Sequence, residues 1–141
     1  MDKPISVLLV DDHEVVRRGL RACLEARPDF EIVGEADSGA SAVKLAAESV
    51  PDVILMDLIM PGIDGVEATR QVKSVSPRTH VIVLTSYHDD EHIFPALQAG
   101  ASSYILKDVA MDELAESIRR AARGEATLNP HVAARLIKEV Q

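Results

Sequence analysis

Five short strand-like runs, four of them nearly uninterrupted in apolar residues and each followed by a stretch of helical periodicity, constrain this chain more than any other feature. The runs occupy residues 5–10, 31–36, 53–57, 80–84 and 103–106. Runs this short and this apolar are strands buried on both faces, and such strands belong to parallel sheets. Between them, helical spacing recurs. Val16, Leu20, Cys23 and Leu24 mark a helix over 13–26, ended by Pro28. Ala40, Val43 and Ala47 mark one over 38–49, and Val66, Thr69 and Val72 one over 64–75, ended by Pro77. Residues 89–99 give a shorter helix stopped by Gly100. Met111, Leu114, Ala115, Ile118, Ala121 and Ala122 give a last one stopped by Gly124. Strand and helix alternating five times predict an α/β domain with helices on both faces of the sheet and right-handed crossovers. The second run is flanked by acids and belongs nearer an edge. Beyond Gly124 the register changes: Asn129-Pro130 can start another helix, with Val132, Leu136 and Val140 on one side.

Four of the runs lead into polar residues, and in a parallel sheet all these ends share one edge, where ligands bind. The first run delivers Asp11 and Asp12, the third Asp57, the fourth Thr85 and the fifth Lys107. Asp57 stands at the end of an apolar strand, before the turn-forming Pro61, Gly62, Asp64 and Gly65, with Asp64 placed to cap the next helix. A buried carboxylate needs a cation beside it or a chemical role. Three carboxylates this close repel one another and call for a divalent ion. Oxygen donors alone point to Mg²⁺ or Mn²⁺ rather than zinc. Lys107 and Thr85 add an ammonium and a hydroxyl suited to phosphate oxygens, and Asp57 is the carboxylate left to attack a phosphoryl group. Taken singly, Asp11-Asp12 reads more readily as a helix cap and Lys107 as a solvated strand end. Their convergence with Asp57 and Thr85 is what argues for chemistry.

Composition removes other classes. At 141 residues the chain is one domain with a real core. A net charge of −8 argues against gripping nucleic acid or an anionic membrane directly. One cysteine, Cys23, excludes an internal disulfide and a Cys-based zinc site. The apolar run at 5–10 is too short for a signal peptide, and no stretch is long enough to span a bilayer, so a cytoplasmic protein is expected. No P-loop, dinucleotide fingerprint or nucleophile elbow occurs. His88 and His92 lie four apart, in a solvated acidic first turn that does not carry a metalloprotease motif.

Taken together, Val10-Asp11-Asp12, Met56-Asp57-Leu58, Met60-Pro61-Gly62, Asp64-Gly65, Leu84-Thr85-Ser86 and Tyr104-Ile105-Leu106-Lys107 resemble the receiver domain of two-component response regulators. The likeness covers about residues 5–123. Asp11-Asp12-His13-Glu14, Gly19-Leu20 and Gly34-Glu35-Ala36 are more particularly similar to the NarL/FixJ branch, in which a LuxR-type helix-turn-helix domain follows the receiver.

The resemblance implies a flavodoxin-like doubly wound sheet of strand order 2-1-3-4-5. It implies a receiver over 1–124, with a helical tail over 125–141 that begins a linker to a DNA-binding domain absent from this chain. Asp57 would accept phosphate from a sensor histidine kinase. Asp11, Asp12, Asp57 and the backbone carbonyl of Ile59 would hold Mg²⁺, and Thr85 and Lys107 would read the phosphoryl group. Tyr104, which as a strand aromatic also reads as core, would be the switch residue that turns inward as Thr85 moves. That shift would remodel the face of the fourth helix, fifth strand and fifth helix, or a neighbouring one, and promote a homodimer. DNA would be reached only through the missing domain. Arg17, Arg18 and Arg21 form one candidate dimer stripe, or a solvated face.

Two departures from the family pattern matter. Lys107 is followed by Asp108 where the family places a cis-proline, so a trans bond or a looser loop is expected, and Asp108 sets an acid beside Lys107. Bulk at Ile59 and Tyr87, beside the site, implies restricted water access and slow dephosphorylation. The chain is thus expected to be a switch that catalyses only its own phosphoryl acceptance and loss. One rival is an aspartyl-phosphate phosphatase of the haloacid-dehalogenase kind, which needs an acid two residues after its nucleophile, where this chain has Ile59. The other is a receiver-shaped scaffold, which would have no use for the full acid, threonine and lysine set.

Overall fold

The computed structural model describes residues 3–85, 91–128 and 130–140. Its elements run β1 (Ile5–Val10), α1 (Glu14–Glu25), β2 (Phe30–Ala36), α2 (Gly39–Ser49), β3 (Val53–Asp57), α3 (Gly65–Val75), β4 (His80–Thr85), α4 (Ile93–Gln98), β5 (Ser103–Leu106), α5 (Met111–Ala122) and α6 (Pro130–Glu139). The sheet is parallel, in the order β2-β1-β3-β4-β5, as expected.

Alternation along the strands builds two cores. Leu8, Val10, Ile54, Met56, Val81 and Val83 face α2, α3 and α4, while Val7, Leu9, Val53, Leu55, Ile82 and Leu84 face α1 and α5. Every residue of β3 is buried, so its terminal carboxylate is held at the sheet's centre. Two helices start on side-chain caps: Ser38 Oγ accepts from the Ser41 amide at 3.2 Å, and Asp64 Oδ1 from the Glu67 amide at 2.9 Å. The Asp64 cap fixes α3 directly behind the loop that leaves Asp57.

Two readings of the helices are corrected. In α1, Val16 is 38% exposed; the strip that meets the sheet is Leu20 and Leu24. In α2 the buried line is Gly39, Ala42 and Ala46, while Ala40 and Ala47 face outward. The basic stripe is tied to neighbouring acids. Arg17 Nε and Arg21 Nη1 meet the two oxygens of Glu35 on β2 at 3.1 and 2.7 Å, and Arg18 pairs with Glu14 at 2.7 Å. The shorter helix expected over 89–99 is α4 from Ile93, its first two residues lying outside the described ones.

The tail folds back onto the domain. The Tyr104 amide donates to the Thr127 carbonyl at 3.3 Å, the Thr127 amide donates to Ser103 Oγ at 3.0 Å, and Leu128 forms a parallel bridge with Tyr104. Beyond it, α6 packs beside α4 and sinks Val132 into the core with Ile93, Ala96 and Tyr104. Val140, expected on the same side, is 69% exposed at the helix end. All peptide bonds among the described residues are trans, including Lys107–Asp108.

Candidate functional site

β1, β3, β4 and β5 end together, and their register decides which side chains meet. Val10 pairs with Met56, Asp57 with Leu84, and Thr85 with Leu106, so Asp11, Asp57, Thr85 and Lys107 stand side by side across the sheet edge. The Lys107 amide donates to the Thr85 carbonyl at 2.7 Å, extending the β4–β5 ladder one step and aiming the lysine back across the edge. Its Nζ lies 3.1 Å from Asp57 Oδ1 and 3.7 Å from Asp11 Oδ2. One ammonium thus serves two buried carboxylates.

Asp57 is 2% exposed. Its Oδ1 also accepts from the Ile59 amide at 3.3 Å, whereas its Oδ2 is buried with no hydrogen-bond partner. Burial pushes the Asp57 carboxyl above the ordinary aspartate value; Lys107 pulls it back and Asp11 pushes it further up. A buried carboxylate oxygen with no donor is costly unless a cation completes its environment.

The carboxylates of Asp11, Asp12 and Asp57 and the imidazole of His13 each offer a donor atom, all within 4.8 Å of one another. This set, with the orphaned Asp57 oxygen, fits a metal ion. Of the sequence-derived residues, Asp11, Asp12, Asp57, Thr85 and Lys107 converge as expected. Ile59 is half exposed and touches the site through its backbone. Tyr104 is buried in the core facing α4, not at the crevice surface. Tyr87 lies outside the described residues.

His13 is the residue that sequence reasoning missed. Its amide and its Nδ1 both approach Asp11 Oδ1 at 2.8 Å, and Nδ1 lies 3.2 Å from Asp12 Oδ1. The hydrogen bond with Asp11, then the charge of Asp12, raise its basicity above that of an ordinary histidine. The available signal was an imidazole directly after two acids, at a helix start where histidine is a poor cap. Arg17 completes the surroundings by donating to the Asp11 carbonyl at 2.5 Å.

Residues 7–119 match the family described as the response regulator receiver domain. The chain belongs to that family. As a receiver domain it is a module of phosphorylation-dependent signalling. This receiver is 50% identical over 137 residues to the transcriptional regulatory protein LiaR of Bacillus subtilis, covering 97% of the chain and 65% of LiaR. It is 47% identical over 128 residues to the response regulator VraR of Staphylococcus aureus, covering 91% of the chain and 61% of VraR. It therefore spans just under two thirds of these curated relatives. Among solved structures, it superposes on a LuxR-family two-component response regulator from Aurantimonas with a TM-score of 0.87 at 33% identity, covering 97% of this chain and 98% of that one. The receiver of a NarL response regulator from Mycobacterium tuberculosis gives 0.83 at 33% identity, covering 88% and 100%. These neighbours place the receiver in the NarL/FixJ branch.

Proposed function

We propose that Asp57 accepts a phosphoryl group from the phosphohistidine of a sensor kinase, with Mg²⁺ or Mn²⁺ bound by Asp11, Asp12, Asp57 and the Ile59 carbonyl. The observation that carries this reading is the pairing of Lys107 with Asp57 and Asp11 beside a buried Asp57 oxygen that lacks any donor. In the transfer, the donor's P–N bond breaks as a P–O bond to Asp57 forms, and the imidazole leaves with its electron pair. A bound divalent ion supplies charge neutralisation on the phosphoryl oxygens. Lys107 shifts from the Asp57 carboxylate to a phosphoryl oxygen, and the Thr85 hydroxyl donates to another. The sheet holds all of these groups in advance, so little has to reorganise.

Phosphorylation then biases two states of the domain. Thr85 moves toward the phosphoryl group, and Tyr104, whose backbone already carries the tail at Thr127 and Leu128, transmits that movement. The receiver spans residues 1–124, and 125–141 begin a linker. In the full-length protein a helix-turn-helix domain would follow, and phosphorylation would favour a homodimer that reaches DNA through it. Supporting this are LiaR's description as a transcriptional regulator and a solved neighbour described as RcsB dimers bound to DNA, at TM-score 0.84 and 25% identity. No helix among the described residues is long and apolar enough to cross a membrane, which accords with a cytoplasmic setting.

Intact mass after incubation with Mg²⁺ and a small phosphoryl donor tests the chemistry. A single phosphoryl adduct that needs the ion and is absent from Asp57→Asn is expected. Donor consumed without an adduct would favour the phosphatase, and no adduct with any divalent ion would favour the scaffold.

A further inference from the structure

The crevice donor set includes a nitrogen. His13 is the residue before α1, with extended backbone (φ −95°, ψ 108°), yet its side chain makes no capping bond to that helix. Its ring turns to the acids instead. The backbone fixes this arrangement, because the His13 amide donates to Asp11 Oδ1 at 2.8 Å and so ties the start of the side chain to the carboxylate.

We propose that His13 ligates a divalent ion through Nδ1 together with Asp11 and Asp12, so that this receiver takes a borderline transition ion such as Co²⁺, Ni²⁺ or Zn²⁺ in preference to Mg²⁺. The inference rests on the crevice being a divalent-ion site and adds the class of ion. Two donors in adjacent positions on an octahedral ion, with bonds of about 2.1 Å, lie about 3.0 Å apart. His13 Nδ1 is 2.8 Å from Asp11 Oδ1 and 3.2 Å from Asp12 Oδ1, on either side of that spacing. A second, independent feature points to a cation here. Asp57, almost wholly buried, belongs to the same cluster and carries an oxygen that no protein donor satisfies.

Donor chemistry sets the preference. Mg²⁺ takes oxygen ligands and gives up its waters reluctantly, whereas imidazole favours the later first-row ions. For those ions His13 replaces a water with a stronger donor. For Mg²⁺ it offers nothing that water does not. The ring is 62% exposed on its side chain, so engaging an ion needs no opening of the core. Lys107, 3.1 Å from Asp57 Oδ1, opposes any cation equally and does not alter the ranking.

The test is calorimetric titration of the 141-residue chain and of His13→Gln with Co²⁺ and with Mg²⁺, alongside X-ray absorption of the Co²⁺ complex. Co²⁺ should bind the wild type more tightly than Mg²⁺. His13→Gln should lose Co²⁺ affinity by at least the ~10-fold typical of a lost outer ligand partner, and keep its Mg²⁺ affinity. Imidazole scattering should be present in the wild-type spectrum and weaken in the variant. His13→Glu, which replaces the nitrogen by oxygen, should still bind both ions and lose the Co²⁺ preference. Mg²⁺ binding with a Co²⁺ affinity indifferent to His13 would overturn this inference and leave the divalent site standing. No binding of either ion to the wild type would overturn both.

Discussion

Gly65 lies so close beneath Asp57 that a Cβ added to it would fall 2.5 Å from the Asp57 carbonyl oxygen and 2.5 Å from the Leu58 Cα. Both are backbone atoms with nowhere to move, since the Gly65 amide itself donates to the Leu58 carbonyl at 2.8 Å. Gly65→Ala should therefore displace the loop that carries the proposed acceptor. Destabilisation of about 1–3 kcal/mol by urea unfolding is expected, with slower phosphorylation. Gly19→Ala is the contrast: it sits in α1 with open space around it and should stabilise by about 0.5–1 kcal/mol.

Asp57→Asn should have opposite effects with and without metal. In EDTA the variant relieves a buried carboxylate that also repels Asp11, and should be more stable than the wild type by about 1 kcal/mol. With Mg²⁺ at 100 times its dissociation constant the wild type should gain about 2.7 kcal/mol, and the variant much less. Thermal melts in the two buffers check the crossing; parallel curves would argue against a metal ligand at Asp57.

Val50 closes α2 in the left-handed region at φ 43°, ψ 64°, where a β-branched side chain is strained. Val50 is 41% exposed and outside both core clusters, so little core packing is lost on removing its side chain. Val50→Gly should raise stability by about 1 kcal/mol, visible as a higher denaturant midpoint with an unchanged slope.

Val132→Ala removes methyl groups buried among Ile93, Ala96 and Tyr104 and should cost about 1–3 kcal/mol. Because α6 packs beside α4 and lies outside the sheet, the loss should be local. Hydrogen exchange should accelerate over 130–139 and α4 and stay unchanged in β1 and β3. Uniform acceleration would mean that the tail is part of the cooperative core.

His80 contributes to acid sensitivity. Burial, then the Lys73 ammonium, holds its imidazole below the ordinary 6.5, with Asp52 pulling the other way. A histidine depressed in the folded state contributes stability that is present above pH 6.5 and lost as pH falls through the folded value. His13, raised in the folded state, acts in the opposite sense: its contribution is complete below pH 6.5 and fades as pH rises. The readout is therefore the difference between wild type and His80→Gln, whose urea midpoint should fall less between about pH 7.5 and about pH 5.

The sheet and the convergence of Asp11, Asp57, Thr85 and Lys107 were legible because strand burial is written as continuous apolar runs, and the ends of parallel strands must coincide. The helix faces were less so. In α2, alanines occur on several sides, and the buried line was decided by Gly39, where a Cβ would strike Ile63 at 2.5 Å. That neighbour lies far along the chain and leaves no periodic trace. Arg17 and Arg21 invited a surface reading because their acid, Glu35, sits on another element. His13 escaped notice for a related reason: its role depends on a ring turned from the helix it introduces toward acids that precede it.

The bridge between Tyr104 and Leu128 has a consequence for how the chain meets copies of itself. β5 is the last strand of the sheet, and Thr127 and Leu128 pair with it at Ser103 and Tyr104. A chain cut after Gly124 would keep the whole crevice and expose that backbone as an open edge, a template for strand-to-strand aggregation. The segment that follows α5 is thus also the guard rail of the sheet.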